Sequence, residues 1–176
     1  YITYINGQYI ALAASGTTIY TSINGTSWTA NATTGLVSAN FLNLAYNGST
    51  YVIVGTITPT SATSGRIYTS IDLSNWSAPT YSAVGQLNNV VYANSQYVAV
   101  GNNNTVLTSA TGATWTINNP SSLPSNYSII GLAYDGTQYI ATASAGSTIV
   151  SPDGVNWTRL NGYNLGVNNW VGTITV

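Results

Sequence analysis

A pattern that returns four times along the chain limits its fold more than any local propensity does. Its first half places two tyrosines five residues apart: Tyr4 and Tyr9, Tyr46 and Tyr51, Tyr92 and Tyr97, Tyr134 and Tyr139. An Asn, Gly, Ser or Asp stands between each pair, and a run such as Tyr51-Val-Ile-Val-Gly follows. Its second half places a serine six residues before a tryptophan: Ser22 and Trp28, Ser70 and Trp76, Ser109 and Trp115, Ser151 and Trp157. The second tyrosines are 42, 46 and 42 residues apart and the tryptophans 48, 39 and 42, a period of about 43.

Each unit contains β-rich runs flanking an Asn-Gly-like turn and then two more flanking an Asp-Gly-like turn, which predicts two hairpins and four strands. No window keeps a helical period, because Gly, Asn, Ser and Thr interrupt it throughout. The fold class is therefore all-β, and four strands in a period of 40 to 45 residues is the size of a β-propeller blade. The expected organisation is a single domain over 1–176, with units at 1–34, 35–82, 83–122 and 123–164. The stretch Thr56 to Ser64, rich in Thr, Ser and Pro, lengthens the second unit and reads as a surface loop.

The element Ser-x-Asp/Asn-Gly-x-x-Trp resembles the Asp-box, or BNR-like, repeat of sialidases, related glycosidases and many non-enzymatic propellers of secreted and phage proteins. It runs Ser22, Asn24, Trp28; Ser70, Asp72, Trp76; Ser109, Thr111, Trp115; and Ser151, Asp153, Trp157. Thr111 departs from the acidic position, Leu73 from the glycine, and the spacing is one residue tighter than the usual box. The resemblance implies a structural turn. Residue chemistry agrees, since an Asx side chain accepts N–H bonds from its own turn, Gly supplies positive φ, and Ser adds a local bond. The four tryptophans are expected at blade seams, each with an acceptor for its indole N–H. The competing expectation is a set of exposed platforms for sugar stacking.

Catalysis is not expected. Asp72, Asp135 and Asp153 are the only acids, Arg66 and Arg159 the only bases, and His, Glu, Lys and Cys are absent. General acid–base chemistry needs titratable groups converging on a pocket, and repeat geometry keeps these three carboxylates apart. A sialidase-like site would need an arginine cluster and a glutamate. Missing His and Cys argue against a transition-metal centre, and no cofactor is expected. Two arginines in separate units cannot form a phosphate-binding surface, so nucleic acid is not an expected partner. No apolar run approaches the 18 residues of a membrane helix, so membrane insertion is not expected.

Solubility must rest on neutral groups: 26 Thr, 20 Ser and 21 Asn. Such a surface keeps its character across pH and salt, which suits an extracellular location. A chain beginning at Tyr1 and lacking methionine is expected to have lost a leader or to be a fragment. Sequons for N-glycosylation occur at Asn24, Asn31, Asn47, Asn75, Asn103, Asn126 and Asn156, close to the number that this composition gives by chance. Near the end, Val167-Asn-Asn-Trp170-Val171 echoes Leu87-Asn-Asn-Val90-Val91, and Ile174 and Val176 extend the run. The segment 167–176 is expected to be the first strand of a further unit, closing the chain's own ring or completing a neighbour's blade. The functional expectation is a non-catalytic extracellular structural protein that assembles with copies of itself in a filament, layer or virion appendage. The alternative is a multivalent lectin or adhesin that binds extracellular glycans.

Overall fold

The structure is a computed structural model that describes residues 1–13, 16–57, 64–82 and 84–160. The expected strand at 167–176, with Val167, Trp170, Val171, Ile174 and Val176, lies outside the described residues, as do residues 58–63 of the inserted loop. Among the described residues, fifteen strands form four antiparallel sheets, one per repeat unit. The first holds β1 (Ile2–Ile5), β2 (Gln8–Leu12), β3 (Ile19–Ser22) and β4 (Thr29–Asn31), and the second β5 (Asn40–Tyr46), β6 (Tyr51–Thr56) and β7 (Gly65–Ser70). The third holds β8 (Leu87–Ala93), β9 (Gln96–Gly101), β10 (Val106–Ser109) and β11 (Thr116–Ile117). The fourth holds β12 (Ile129–Tyr134), β13 (Tyr139–Ala143), β14 (Ser147–Ser151) and β15 (Thr158–Arg159).

The second sheet departs from the expected four strands. Its outer strand is reduced to one bridge, Thr69 with Ser77. The cause is local: Asn31 pairs with Ile19 in the first sheet, and the corresponding position opposite Ile67 is Pro79, which has no N–H to donate to the ladder. Thr80 instead bridges in parallel to Thr114 of the third sheet, as Thr34 of the first does to Asn75 of the second.

Three apolar clusters hold the sheets together face to face. Each is made by a repeated trio on one sheet: Ile10, Leu12 and Ile19 on the first, Val52, Val54 and Ile67 on the second, and Val98, Val100 and Val106 on the third. The next sheet covers each trio with its second tyrosine and its tryptophan: Tyr51 and Trp76, Tyr97 and Trp115, Tyr139 and Trp157. Alternation along a strand sends neighbouring residues to opposite faces, so Val52 serves the following blade while Tyr51 serves the preceding one. Among the described residues no such cluster joins the fourth sheet to the first. The described blades thus form an open arc.

Candidate functional site

The repeated tyrosines are direct cross-strand partners. Tyr4 faces Tyr9, Tyr46 faces Tyr51, Tyr92 faces Tyr97 and Tyr134 faces Tyr139, with ring centroids 4.8, 4.1, 4.8 and 4.8 Å apart. The second tyrosine of each later pair also ties its blade to the one before. Tyr97 donates its hydroxyl proton to the Thr50 carbonyl at 2.5 Å, Tyr139 donates to the Ala93 carbonyl at 2.6 Å, and the Asn6 amide donates to Tyr51 Oη at 3.2 Å.

The serine-to-tryptophan elements fold into one repeated loop. The serine Oγ accepts the N–H three residues on, from Gly25, Leu73, Gly112 and Gly154, at 2.9, 3.0, 2.8 and 2.8 Å. Asn24, Asp72 and Asp153 each accept two further N–H groups at 2.7 to 2.9 Å through Oδ1. Thr111, the departure seen in the sequence, accepts only from Ala113 at 3.3 Å. Each indole N–H closes the loop on the carbonyl of Gly25, Leu73, Gly112 or Gly154, at 3.2, 3.1, 2.9 and 3.1 Å. Leu73 holds the glycine position at φ 64°, unusual for a side chain with a Cβ, and buries that side chain between the first and second blades.

These elements sit one to a blade and do not converge. Trp76, Trp115 and Trp157 are 5, 7 and 6% exposed at the seams, so they offer no sugar platform. Trp28 departs from the seam expectation at 37%, because no described blade precedes its own. Three sequons coincide with the boxes: Asn24 is an acceptor, and Asn75 and Asn156 donate their side-chain amides to Asp72 and Asp153 at 2.8 and 2.7 Å. Asn31 and Asn47 are half-buried, and Asn103 and Asn126 are exposed.

Each of the three Asp carboxylates is committed to a turn. Hydrogen bonds from the Thr137 side chain and then from the Gln138 and Thr137 N–H groups hold Asp135 at about 2. Burial opposes ionisation of Asp153, but the Asn156, Val155 and Ser151 donors outweigh it and keep it at about 2. The Asn75 N–H and amide, with the Ser74 N–H and Ser70 hydroxyl, hold Asp72 below the usual range. At the other extreme, burial raises Tyr97 and Tyr139 above the ordinary 10.0. Depressed acids contribute stability that is complete above their unfolded value of 3.8 and is lost as pH falls through about 2. Raised phenols contribute stability that is complete below 10.0 and is lost as pH rises through their folded values. With no His, Lys or Glu in between, the melting temperature should stay flat from about pH 5 to pH 9 and fall on either side. A calorimetric pH series checks this, and a midpoint that moves near neutrality would contradict the assignment.

Among the described residues, all four blades contribute to a cleft of about 910 Å³ lined by their first strands, β1, β5, β8 and β12. Three β-bulges shape it, at Leu42, Asn88 and Ile130, each four residues before the first tyrosine of its unit. A bulge bends the strand and re-aims its side chains, and all three bulged residues line the cleft. Asn88 is the hub of an amide network: Gln86 donates to its Oδ1 at 2.8 Å, and its own amide donates to Asn102 Oδ1 at 3.1 Å and to the Ile129 carbonyl at 2.7 Å. No Asp or Arg lines the cleft, so its polar chemistry is that of amides and hydroxyls. Sequence reading missed this surface. The Asn-Asn pair of the third unit was visible, but its placement depends on how the blades stack.

No protein-family model matches the chain, and no curated protein matches it. Solved structures do. One described as YCF48 bound to D1 peptide superposes with a TM-score of 0.62 at 19% identity, covering 89% of this chain and 50% of that one. YCF48 from Cyanidioschyzon merolae superposes with a TM-score of 0.64 at 15% identity, covering 93% of this chain and 59% of that one. The chain thus spans half the length of the first and somewhat more than half of the second. At such low identity the likeness is one of fold: an all-β arc of blades that matches part of the Ycf48 propeller.

Proposed function

We propose that this protein is a non-catalytic extracellular structural subunit that assembles with copies of itself, in a filament, layer or virion appendage. The observation that carries this reading is the unpaired face of the first blade. Ile2, Tyr20 and Trp28 are 58, 39 and 37% exposed, whereas their equivalents in the other three blades are buried. Those equivalents, fixed by strand register and by the boxes, are Leu44, Tyr68 and Trp76, then Val90, Leu107 and Trp115, then Leu132, Ile149 and Trp157. A contiguous apolar face of this kind marks an interaction surface. The non-catalytic part of the reading is supported by the use of all three carboxylates as turn acceptors in separate places. Sedimentation velocity tests it: species heavier than the 18.4 kDa monomer should grow with protein concentration and persist in 1 M salt, because the face is uncharged. A monomer at every concentration would count against self-assembly.

The cleft favours a second reading, a binding module. Its amides suit the hydroxyls of a neutral glycan or the backbone of an extended peptide, and the YCF48 structure described as bound to a peptide shows that a propeller of related fold takes one. Glycan-array binding that Asn88→Ala abolishes would favour this reading.

A further inference from the structure

We propose that the hairpin turn at Asn6 and Gly7 is a modification site, where the Asn6 amide deamidates spontaneously, while the hydrogen bonds that shape the turns at Asn24 and Asn47 protect those two residues. Water is the only co-reactant.

An asparagine followed by glycine is open to this reaction because no side chain keeps the glycine nitrogen from the amide carbon. The nitrogen gives up its proton to base and bonds to Cγ, and Nδ2 leaves with a proton as ammonia. Water then opens the resulting succinimide at either carbonyl, so aspartate or isoaspartate forms as one water is consumed and one ammonia released. Ring closure requires the nitrogen and Cγ to meet in an attack geometry. Whatever holds either atom elsewhere slows it.

Among the described residues Asn-Gly occurs at 6, 24 and 47, and Asn161-Gly162 lies outside them. Exposure does not rank the three, since Asn6 and Asn24 are both exposed and Asn47 is half-buried. Hydrogen bonding does. Asn24 Oδ1 accepts the Thr26 and Ser27 N–H groups, both at 2.9 Å, and the Ser22 hydroxyl at 3.1 Å. The attacking nitrogen is tied as well, because the Gly25 N–H donates to Ser22 Oγ at 2.9 Å. Asn47 Oδ1 accepts the Ser49 and Thr50 N–H groups at 2.9 and 2.8 Å and the Ser49 hydroxyl at 3.0 Å, but no described residue accepts the Gly48 N–H. Both side chains aim their oxygen at groups two and three residues on, and must give up those bonds to present Cγ to the next nitrogen.

Asn6 shapes no such turn. Among the described residues its side chain makes one hydrogen bond, the amide donating to Tyr51 Oη at 3.2 Å, and none holds the Gly7 N–H. Backbone alone makes this turn: Ile5 pairs with Gln8, and Asn6 and Gly7 sit at φ 54° and 78°, the positive pair of a two-residue hairpin loop. The surroundings are open too. A Cβ on Gly7 would meet nothing within 4 Å, whereas one on Gly25 would meet the Tyr9 ring at 3.4 Å. Tyr51 belongs to the second blade, so the reaction replaces an amide donor between two blades with a carboxylate that can only accept.

The test incubates the full chain at about pH 8, where the fold is stable, with a parallel sample unfolded in urea. Chymotryptic mapping by mass spectrometry locates each product, and enzymatic methylation of isoaspartate confirms its chemistry. In the folded chain Asn6 should react about tenfold or more faster than Asn47, and faster still than Asn24, because the other two must first release their bonds. In urea the three should react at similar rates. Equal rates in the folded chain, or Asn24 or Asn47 reacting first, would overturn the proposal. A spread in urea as wide as in the folded chain would overturn it as well, since the order would then come from neighbouring residues and not from the turns.

Discussion

Trp115→Ala is expected to destabilise the protein by about 3–5 kcal/mol, the range for removing a buried aromatic side chain from a packed core. Trp28→Ala should cost far less, on the order of 1 kcal/mol for its loop-closing hydrogen bond. The two residues have the same local surroundings: a serine six positions before, an indole N–H on the carbonyl three positions back, and a tyrosine ring about 6 Å away. What differs is the neighbour. Trp115 packs with Val52, Val54 and Ile67 of the second blade, while Trp28 has no described blade in front of it. Urea denaturation at low protein concentration measures both. Equal costs would mean that the first blade is covered even in the monomer. A cost for Trp28→Ala that grows with protein concentration would instead be the thermodynamic mark of assembly, because binding stabilises the folded state by mass action.

Gly35→Ala is the second substitution expected to act strongly, although it deletes nothing. Gly35 follows Thr34, whose N–H donates to the Ser74 carbonyl at 2.8 Å and whose carbonyl accepts the Trp76 N–H at 3.0 Å, so this segment clamps the first blade to the box of the second. Its φ is +79°, and a Cβ built on it would lie 1.8 Å from the Trp76 carbonyl oxygen. That atom is backbone held in the clamp, so it cannot swing aside as a side-chain tip could. The left-handed conformation costs a Cβ-bearing residue about 1–2 kcal/mol, and overpacking adds roughly 1–3 kcal/mol. The denaturation midpoint should fall accordingly, and the first blade should lose amide protection before the other three. A Gly35→Ala protein as stable as the parent would show that the clamp is not formed in solution.

Both effects separate what can be read along a chain from what arises only when blades stack. The boxes were legible because their bonds close within six residues: Ser22, Asn24, Gly25 and Trp28 satisfy one another whatever lies beyond them, and Leu73 and Thr111 stood out as departures for the same reason. The tyrosine pairs were legible because a tight hairpin sets residues five apart opposite each other. Strand number was nearly so, failing only where Pro79 removes a ladder donor.

The sequence by itself thus determined the all-β class, the period, the turn chemistry and the dispersal of the three carboxylates, all properties of one unit repeated. Only the tertiary structure decided that the described blades form an open arc, that Trp28 is exposed while its three equivalents are buried, and that bulged residues from three blades meet across a cleft. The physical reason is that burial belongs to pairs of blades. Leading faces look alike in sequence whether or not a neighbour covers them, and the first differs from the rest only in having no described blade before it.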